Sequence, residues 1–395
     1  MTESDLARIA TATGRAAPAA GAVRIGSDEV RLLRDGDEAY PAMLAAIAAA
    51  QREVLMEFYW FGSDAVGRQF CDALAERARA GVTVRLVFDA FGSRPIDPDM
   101  FQALRASGAD ARAYHPLFGL ADAQRRWAFR DHRKMLVCDG EVGFTGGLNI
   151  GREWASRTQG GEGWRDDMVE VRGPAASELR TLFHGTWRRL LPRRDRSDPS
   201  LVPQNTEVPP APTRPVWVMA NGHGWRQRRA IRATYLRWIQ QARASIDIVN
   251  AYFVPDFRTR RALVQAARRG VAVRVLVPAN SDLPVVQWAV EALLERLVKK
   301  GVRAFAFAGS VLHSKTAVVD EARVTIGSYN LDHRSFRYNL EVNLAIESRR
   351  FGQMVKASFE RDLSASVEWT LDTLRRRGFV RRVLGEIALL FARFL

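Results

Sequence analysis

A histidine, a lysine two residues later and an aspartate five beyond that occur twice in this chain, as His132, Lys134 and Asp139 and as His313, Lys315 and Asp320. Each histidine is followed 17 residues on by an asparagine in a glycine-containing turn, Asn149 in Thr145-Gly146-Gly147-Leu148-Asn149 and Asn330 in Ile326-Gly327-Ser328-Tyr329-Asn330. Such a pair of sets has what phosphoryl transfer without a metal requires: one imidazole to attack phosphorus and a second to protonate the leaving oxygen. The lysines and asparagines would then donate to the phosphate oxygens. One copy would be weak evidence, but two copies at one internal spacing, in a chain of only six histidines, are not chance.

On a strand, residues two apart face the same side, so each histidine and its lysine can meet one phosphate. An imidazole titrates near neutral pH and suits both nucleophile and acid, whereas a lysine remains a cation. Asp139 and Asp320 belong to the repeated catalytic set, yet their spacing from the lysines has the opposite parity, which predicts a structural role at the strand end. Gly146 and Gly147, like Gly327 and Ser328, would let the backbone approach a phosphate closely; Gly147 and Ser328 join Asn149 and Asn330 as predicted phosphate-binding residues. Glu57, on a strand expected to end near the cleft, could serve in catalysis or in a salt bridge.

The segments that must position these residues repeat as well. In the first half, a helix over Ala42 to Arg52 leads to a strand over Glu53 to Tyr59. A helix over Val66 to Ala80 then stops at Gly81, and a strand runs from Val82 to Asp89. In the second half the same order is read as a helix over Ala230 to Ala244, a strand over Ser245 to Tyr252, a helix over Thr259 to Arg269 stopped by Gly270, and a strand over Val271 to Val277. Tyr59 thus matches Tyr252. The pattern predicts a mixed α/β fold of two related halves, residues 23–191 and 216–374, each a mixed sheet flanked by helices. Residues 1–22 read as a flexible tail without the apolar core of a signal peptide. Residues 192–215, with seven prolines, read as an exposed linker.

At 395 residues the chain can bury two cores, and 47% hydrophobic with 26% charged residues is too polar for an integral membrane protein. No apolar run is long enough to span a bilayer. Two cysteines, Cys71 and Cys138, make neither a disulfide framework nor a metal cluster. No cofactor and no metal are expected. A net charge of +15 points to a polyanionic partner, for which nucleic acid and an anionic membrane both qualify. At the C-terminus, residues 375–395, the apolar positions Phe379, Val380, Val383, Leu384, Ile387, Phe391, Phe394 and Leu395 share a helical face, beside Arg375, Arg376, Arg377, Arg381 and Arg382. This is the profile of a basic helix lying in a membrane interface; a helix docked on its own domain is the alternative.

The stretch from Arg130-Asp131-His132-Arg133-Lys134 to Phe144-Thr145-Gly146-Gly147-Leu148-Asn149-Ile150-Gly151 resembles the first motif of the phospholipase D superfamily. His313 and Lys315, with Gly327-Ser328-Tyr329-Asn330-Leu331-Asp332-His333-Arg334-Ser335-Phe336, resemble its second. Within the superfamily the likeness is to bacterial cardiolipin synthases of the short type without N-terminal membrane spans, and it covers the chain from about Val23 to about Ser366. The resemblance implies halves packed about a pseudo-twofold axis with both histidines in one cleft, so that no oligomer is needed to complete the site. Glu341 matches the acidic residue that orients a histidine, with Asp166 its first-half counterpart and the adjacent Asp167 a competing choice. By the same likeness His132 is the nucleophile.

The implied activity is transfer of a phosphatidyl group from one phosphatidylglycerol to another through phosphohistidine, at the cytoplasmic side of the cell membrane, with anionic phospholipid as partner. Two alternatives remain: a phosphodiesterase hydrolysing phospholipid or nucleic acid, and a catalytically silent binding module. Nucleic acid is the less expected substrate, because both motifs and an amphipathic tail lie in one chain. Pure binding would not call for two histidines.

Overall fold

The computed structural model describes residues 21–116, 129–192, 195, 214–222, 230–281 and 283–391. Most of the predicted tail and linker, and Phe394 and Leu395 of the C-terminal segment, lie outside these residues.

Among the described residues, sixteen strands form two eight-stranded mixed sheets. The first holds β1 (Val23–Ile25), β2 (Asp28–Arg34), β3 (Glu53–Phe58), β4 (Thr83–Asp89), β5 (Asp110–Tyr114), β6 (Lys134–Cys138), β7 (Val142–Gly146) and β8 (Asp167–Arg172), in the order β1-β2-β8-β7-β6-β3-β4-β5. The second holds β9 (Val216–Asn221), β10 (Ser245–Asn250), β11 (Ala272–Pro278), β12 (Arg303–Phe307), β13 (Lys315–Val319), β14 (Arg323–Gly327), β15 (Glu341–Glu347) and β16 (Ser366–Glu368), in the order β16-β12-β11-β10-β13-β14-β15-β9. Read in opposite directions the two orders coincide over seven strands, with β3 matching β10 and β6 matching β13. In each half three parallel strands, β3-β4-β5 or β10-β11-β12, adjoin an antiparallel run that begins with the motif strand.

The predicted helix–strand–helix–strand order is present in both halves, with helices Asp35–Ala49, Ala65–Arg79, Ala230–Gln241 and Phe257–Arg268. Gly81 and Gly270 end the second helix of each set at φ of 86° and 88°, a conformation that costs a residue with a Cβ more than it costs glycine. Central strands such as β3 and β6 are buried at every position, with Glu53, Glu57 and Lys134 among the buried residues. One face of each sheet carries its own helices: Phe70 and Leu74 cover Met56 and Leu136 in the first half, and Leu263 and Leu293 cover Ile248 and Val275 in the second. The opposite faces share a third core, in which Leu55, Met135 and Val169 lie with Val318, Ile326 and Val342. The halves are therefore joined by a hydrophobic interior.

Backbone bonds cross that junction in a reciprocal way. His132 N donates to Leu340 O at 3.0 Å, and Leu340 N to Arg130 O at 2.9 Å; Arg165 N donates to Val311 O and His313 N to Arg165 O, both at 2.8 Å. Beside them the Arg165 guanidinium, 3% exposed, donates to Asp362 and forms an ion pair with Asp167 at 2.8 Å. Breaking a buried cation–carboxylate pair is costly, so the Arg165–Asp362 bridge fixes how the halves meet.

The C-terminal helix, Phe379–Leu390, packs against helix Pro284–Val298. Gly385 lies so close that an added Cβ would stand 2.8 Å from Trp288 O, and Arg377 and Arg381 both pair with the buried Glu291 at 2.7 Å. The predicted basic apolar helix thus exists, but two of its arginines hold it to the second half. Its outward face keeps Phe379, Val380, Val383, Ile387, Leu390 and Phe391 exposed. Among the described residues no helix is long and apolar enough to cross a membrane.

Asp139 and Asp320, grouped above with the catalytic residues, need correction. Both are at the far ends of β6 and β13, about 16 Å along the strand from the lysines at ~3.3 Å per residue. Both have positive φ, 55° and 52°. The Asp139 carboxylate accepts the N–H groups of Gln51, Arg52 and Glu53 at 2.7–2.9 Å, and that of Asp320 those of Arg243, Ala244 and Ser245 at 2.7–3.1 Å. Each aspartate satisfies the chain entering the neighbouring strand, which is why it recurs with the motif. Asp320→Ala should cost about 1–3 kcal/mol of stability, the cost of leaving such donors without a charged acceptor. Urea unfolding would measure it, and turnover per folded molecule should stay within about twofold of the unaltered protein.

Candidate active site

β6 and β13 begin at Lys134 and Lys315, and each histidine sits two residues before its strand. His132 Nδ1 donates to Glu341 at 3.0 and 3.1 Å from its two oxygens, and His313 Nδ1 donates to Asp166 Oδ2 at 2.6 Å. Each histidine of one half is therefore held by a carboxylate of the other. With Nδ1 committed as donor, Nε2 is the nitrogen left with a lone pair for phosphorus or a proton. Both imidazoles are nearly buried, at 8% and 7% exposure.

The two motifs act on one another electrostatically. Burial lowers the pKa of His132, with the charges of Lys134 and Lys315 adding to it and Glu341 opposing. Burial and the neighbouring Lys315 take His313 down to about 4, against the opposing pull of Asp166. Burial brings Lys134 down to about 7, helped by Lys315 and opposed by Glu341. Burial would raise Asp166 and Glu341, but the cations win: Lys315 and His313 hold Asp166 below the usual carboxylate range, and His132 and Lys134 do so for Glu341. The site is a compact cluster of opposite charges with two neutral imidazoles, suited to receive a phosphodiester anion.

Lys134 Nζ donates to His132 O at 2.7 Å and Lys315 Nζ donates to His313 O, so both ammonium groups stay beside the ring they serve. Tyr59 and Tyr252 occupy matching places, their rings edge-on to His132 and His313 at 4.9 and 6.4 Å between centroids. Asn149 Oδ1 accepts from Trp60 N at 3.2 Å, while Asn330 Oδ1 is buried without a hydrogen-bond partner among the described residues.

Gly147 and Ser328 shape the orienting carboxylates. A Cβ on Gly147 would stand 2.1 Å from Asp166 Oδ1, and the Ser328 hydroxyl donates to Glu341 Oε2. Of the two candidates for the first-half acid, Asp166 meets the histidine; Asp167 accepts instead from the Ser314 and Thr316 hydroxyls at 2.5 and 2.7 Å. Glu57 lies 3.3 Å from Arg133 Nη1 in a buried ion pair, the structural one of its two roles. Two residues not anticipated from sequence also bear on the site. Asn339 Nδ2 donates to Glu341 Oε1 at 3.3 Å, and Trp154 Nε1 donates to Asp166 Oδ2 at 3.0 Å. The repeat could not have flagged them, because neither has a chemical counterpart in the other half.

Two histidine–lysine motifs meeting in one buried cluster, on halves of matching sheet order, define a phosphodiester-transfer centre of the phospholipase D superfamily. Residues 43–187 and 235–363 match the family described as cardiolipin synthase, PLD-like domain. Cardiolipin synthase B of Escherichia coli is 34% identical over 357 residues, covering 88% of this chain and 83% of the relative. Probable cardiolipin synthase YwiE of Bacillus subtilis is 31% identical over 367 residues, covering 92% and 71%. Among solved structures, phosphatidylserine synthase of Haemophilus influenzae superposes with a TM-score of 0.71 at 14% identity, covering 95% of this chain and 96% of that one, which shows a shared fold. The chain belongs to the cardiolipin synthase, PLD-like family, the phosphatidyltransferases of the superfamily.

Gly147→Ala should push Asp166 off His313 and reduce turnover by about a hundredfold, since misplacement of about 1 Å costs that much. Ser328→Ala removes one donor and should cost about tenfold. Initial rates of lipid transfer at fixed folded concentration would check both, and equal effects would mean that the crowding at Gly147 is relieved elsewhere.

Proposed function

We propose that the protein joins two phosphatidylglycerol molecules, transferring the phosphatidyl group of one to the free hydroxyl of the other and releasing glycerol. The observation that carries this reading is the buried cluster in which two imidazoles, each oriented by a carboxylate of the opposite half, share two lysines. His132 Nε2 attacks phosphorus and forms a P–N bond, while the P–O bond to glycerol breaks and His313 gives the leaving oxygen its proton. The hydroxyl of the second phosphatidylglycerol then attacks phosphorus, its proton passes to His313, and the P–N bond breaks. Both imidazoles are neutral in the empty site, so the proton carried by His313 is taken up as the phosphate anion arrives and raises its basicity. Lys134, Lys315, Asn149 and Asn330 would bear the charge on the phosphate oxygens. Burial of the histidines favours lipid alcohol over water as acceptor.

The substrate lies in a bilayer, and the surface suited to meet it is the outer face of helix Phe379–Leu390. Phe379 is 79% and Leu390 74% exposed, and these residues recur at helical spacing with Val383 and Ile387. The reading places the protein as a peripheral enzyme on the cytoplasmic side of the membrane, drawn to anionic lipid by its net charge of +15.

Purified protein given labelled phosphatidylglycerol in vesicles, with excess chelator, should form cardiolipin and glycerol in equal amounts. Phosphatidic acid as the main product would make the protein a hydrolase, and turnover restored only by added metal would defeat the histidine mechanism. His132→Ala and His313→Ala should each abolish transfer. With a donor whose leaving group needs no proton, only the His313→Ala variant should accumulate a covalent adduct; an adduct on His313 in the His132→Ala variant would exchange the two roles.

Phe379→Asp combined with Leu390→Asp should weaken cosedimentation with phosphatidylglycerol vesicles at least tenfold, since each apolar side chain contributes about 1.5–3 kcal/mol on burial. The melting temperature should hardly change, because these side chains already face solvent. Unaltered vesicle binding would assign the membrane contact to another surface.

A further inference from the structure

The two orienting carboxylates carry different donors. Glu341 receives the Ser328 hydroxyl on Oε2 and the Asn339 amide on Oε1 at 3.3 Å. Asp166 receives Asp167 N on Oδ1 at 2.8 Å, and on Oδ2 both His313 Nδ1 at 2.6 Å and Trp154 Nε1 at 3.0 Å. The indole N–H and the imidazole N–H thus share one oxygen. The residue at the matching place in the second half, five beyond Asn330, is Ser335, whose carbonyl accepts the Asn221 amide at 2.8 Å and which takes no part in holding Glu341.

We propose that Trp154 is a positioning residue for the transfer reaction: its indole N–H fixes Asp166 and takes up part of the charge that Asp166 Oδ2 presents to His313. A buried indole N–H needs an acceptor, and any carbonyl would satisfy packing alone. Here the acceptor is the oxygen that orients a catalytic imidazole. The ring is rigidly set: it is 1% exposed, lies edge-on to Trp60 at 5.7 Å, contacts Trp164 at 5.1 Å and meets the His313 ring at 5.3 Å and 75°. Its backbone oxygen is 2.1 Å from where a Cβ on Gly36 would stand, so the segment cannot move outward past that helix.

A carboxylate oxygen that accepts two N–H groups presents less charge to each. Removing the indole N–H therefore leaves more negative charge facing His313 Nδ1, which makes that imidazole more basic. The other groups around the pair stay in place: Lys315 on the histidine's own strand, Lys134 from the first motif, Asp167 and Asp35 with Arg165 behind Asp166, and the Tyr40 and Tyr252 phenols. His132 and Glu341 have no bond to the indole and supply an internal control.

The test uses the full-length protein with two replacements. Trp154→Phe keeps an aromatic ring but loses the N–H; benzothienylalanine at the same position keeps the bicyclic shape, with sulfur where the N–H was. Histidine imidazole resonances followed by NMR against pH should show the His313 titration moving up by about 0.5–1 unit in both proteins, with His132 unmoved. The limb of the pH profile of kcat that follows His313, the alkaline limb under the proposed roles, should move in the same direction. An unmoved His313 titration in the benzothienylalanine protein, or equal movement of His132 and His313, would overturn the proposal and leave Trp154 as packing. If the phenylalanine variant does not fold, the isosteric replacement alone decides. The kinetic limb rests on the proposed transfer, whereas the NMR titration does not, so failure of one reading is distinguishable from failure of the other.

Discussion

The hydrogen bond from each histidine to a carboxylate of the opposite half is the constraint on which the remaining structure depends. An imidazole with free Nδ1 can take either tautomer and rotate; bound to Glu341 or Asp166 it presents Nε2 in one direction. Because each acid belongs to the other sheet, the halves must be held to a fraction of an ångström. The reciprocal backbone bonds at Leu340 and Arg165, the Arg165–Asp362 pair and the core shared by Met135, Val169, Ile326 and Val342 supply that rigidity. Interface and active site are therefore not separate features.

Electrostatics within the cluster follow from the same arrangement. Four charged groups and two imidazoles are withdrawn from water together, and each shift is a balance between burial and neighbours. Burial wins at the histidines and at Lys134, which is brought near 7, whereas the cations win at Asp166 and Glu341. The anions thus stay charged while burial disfavours the protonated imidazoles, and the empty site is suited to one more negative charge.

Much of this could be read from residue order. The duplicated His, Lys and Asn set, the equivalence of Tyr59 with Tyr252 and the glycine-stopped helices are local patterns, and local patterns survive in sequence. The parity argument also placed Asp139 and Asp320 at strand ends, where their carboxylates accept backbone N–H groups. What sequence could not show is which acid serves which histidine. Asp166 and Asp167 are neighbours whose side chains diverge, one to His313 and one to Ser314 and Thr316, and only the assembled interface separates them. Nor could periodicity reveal Trp154 or Asn339, since a search by internal symmetry finds what the halves have in common and passes over what they do not. The C-terminal helix read as basic and apolar, but the buried Glu291 that engages Arg377 and Arg381 lies on a helix almost ninety residues earlier.

The exchange of carboxylates also bears on how such a chain can change over generations. A duplicated protein ordinarily carries a spare: one copy can decay while the other works. Here Asp166 completes the site of the second copy and Glu341 that of the first, so loss of either copy removes a component of both, and the duplication behaves as a ratchet. Within that lock each copy is free to acquire different supports, a hydroxyl at Ser328 against the bare backbone of Gly147, an indole on one acid and an amide on the other. Mutual dependence thus preserves the pair of histidines while permitting the two to become specialists.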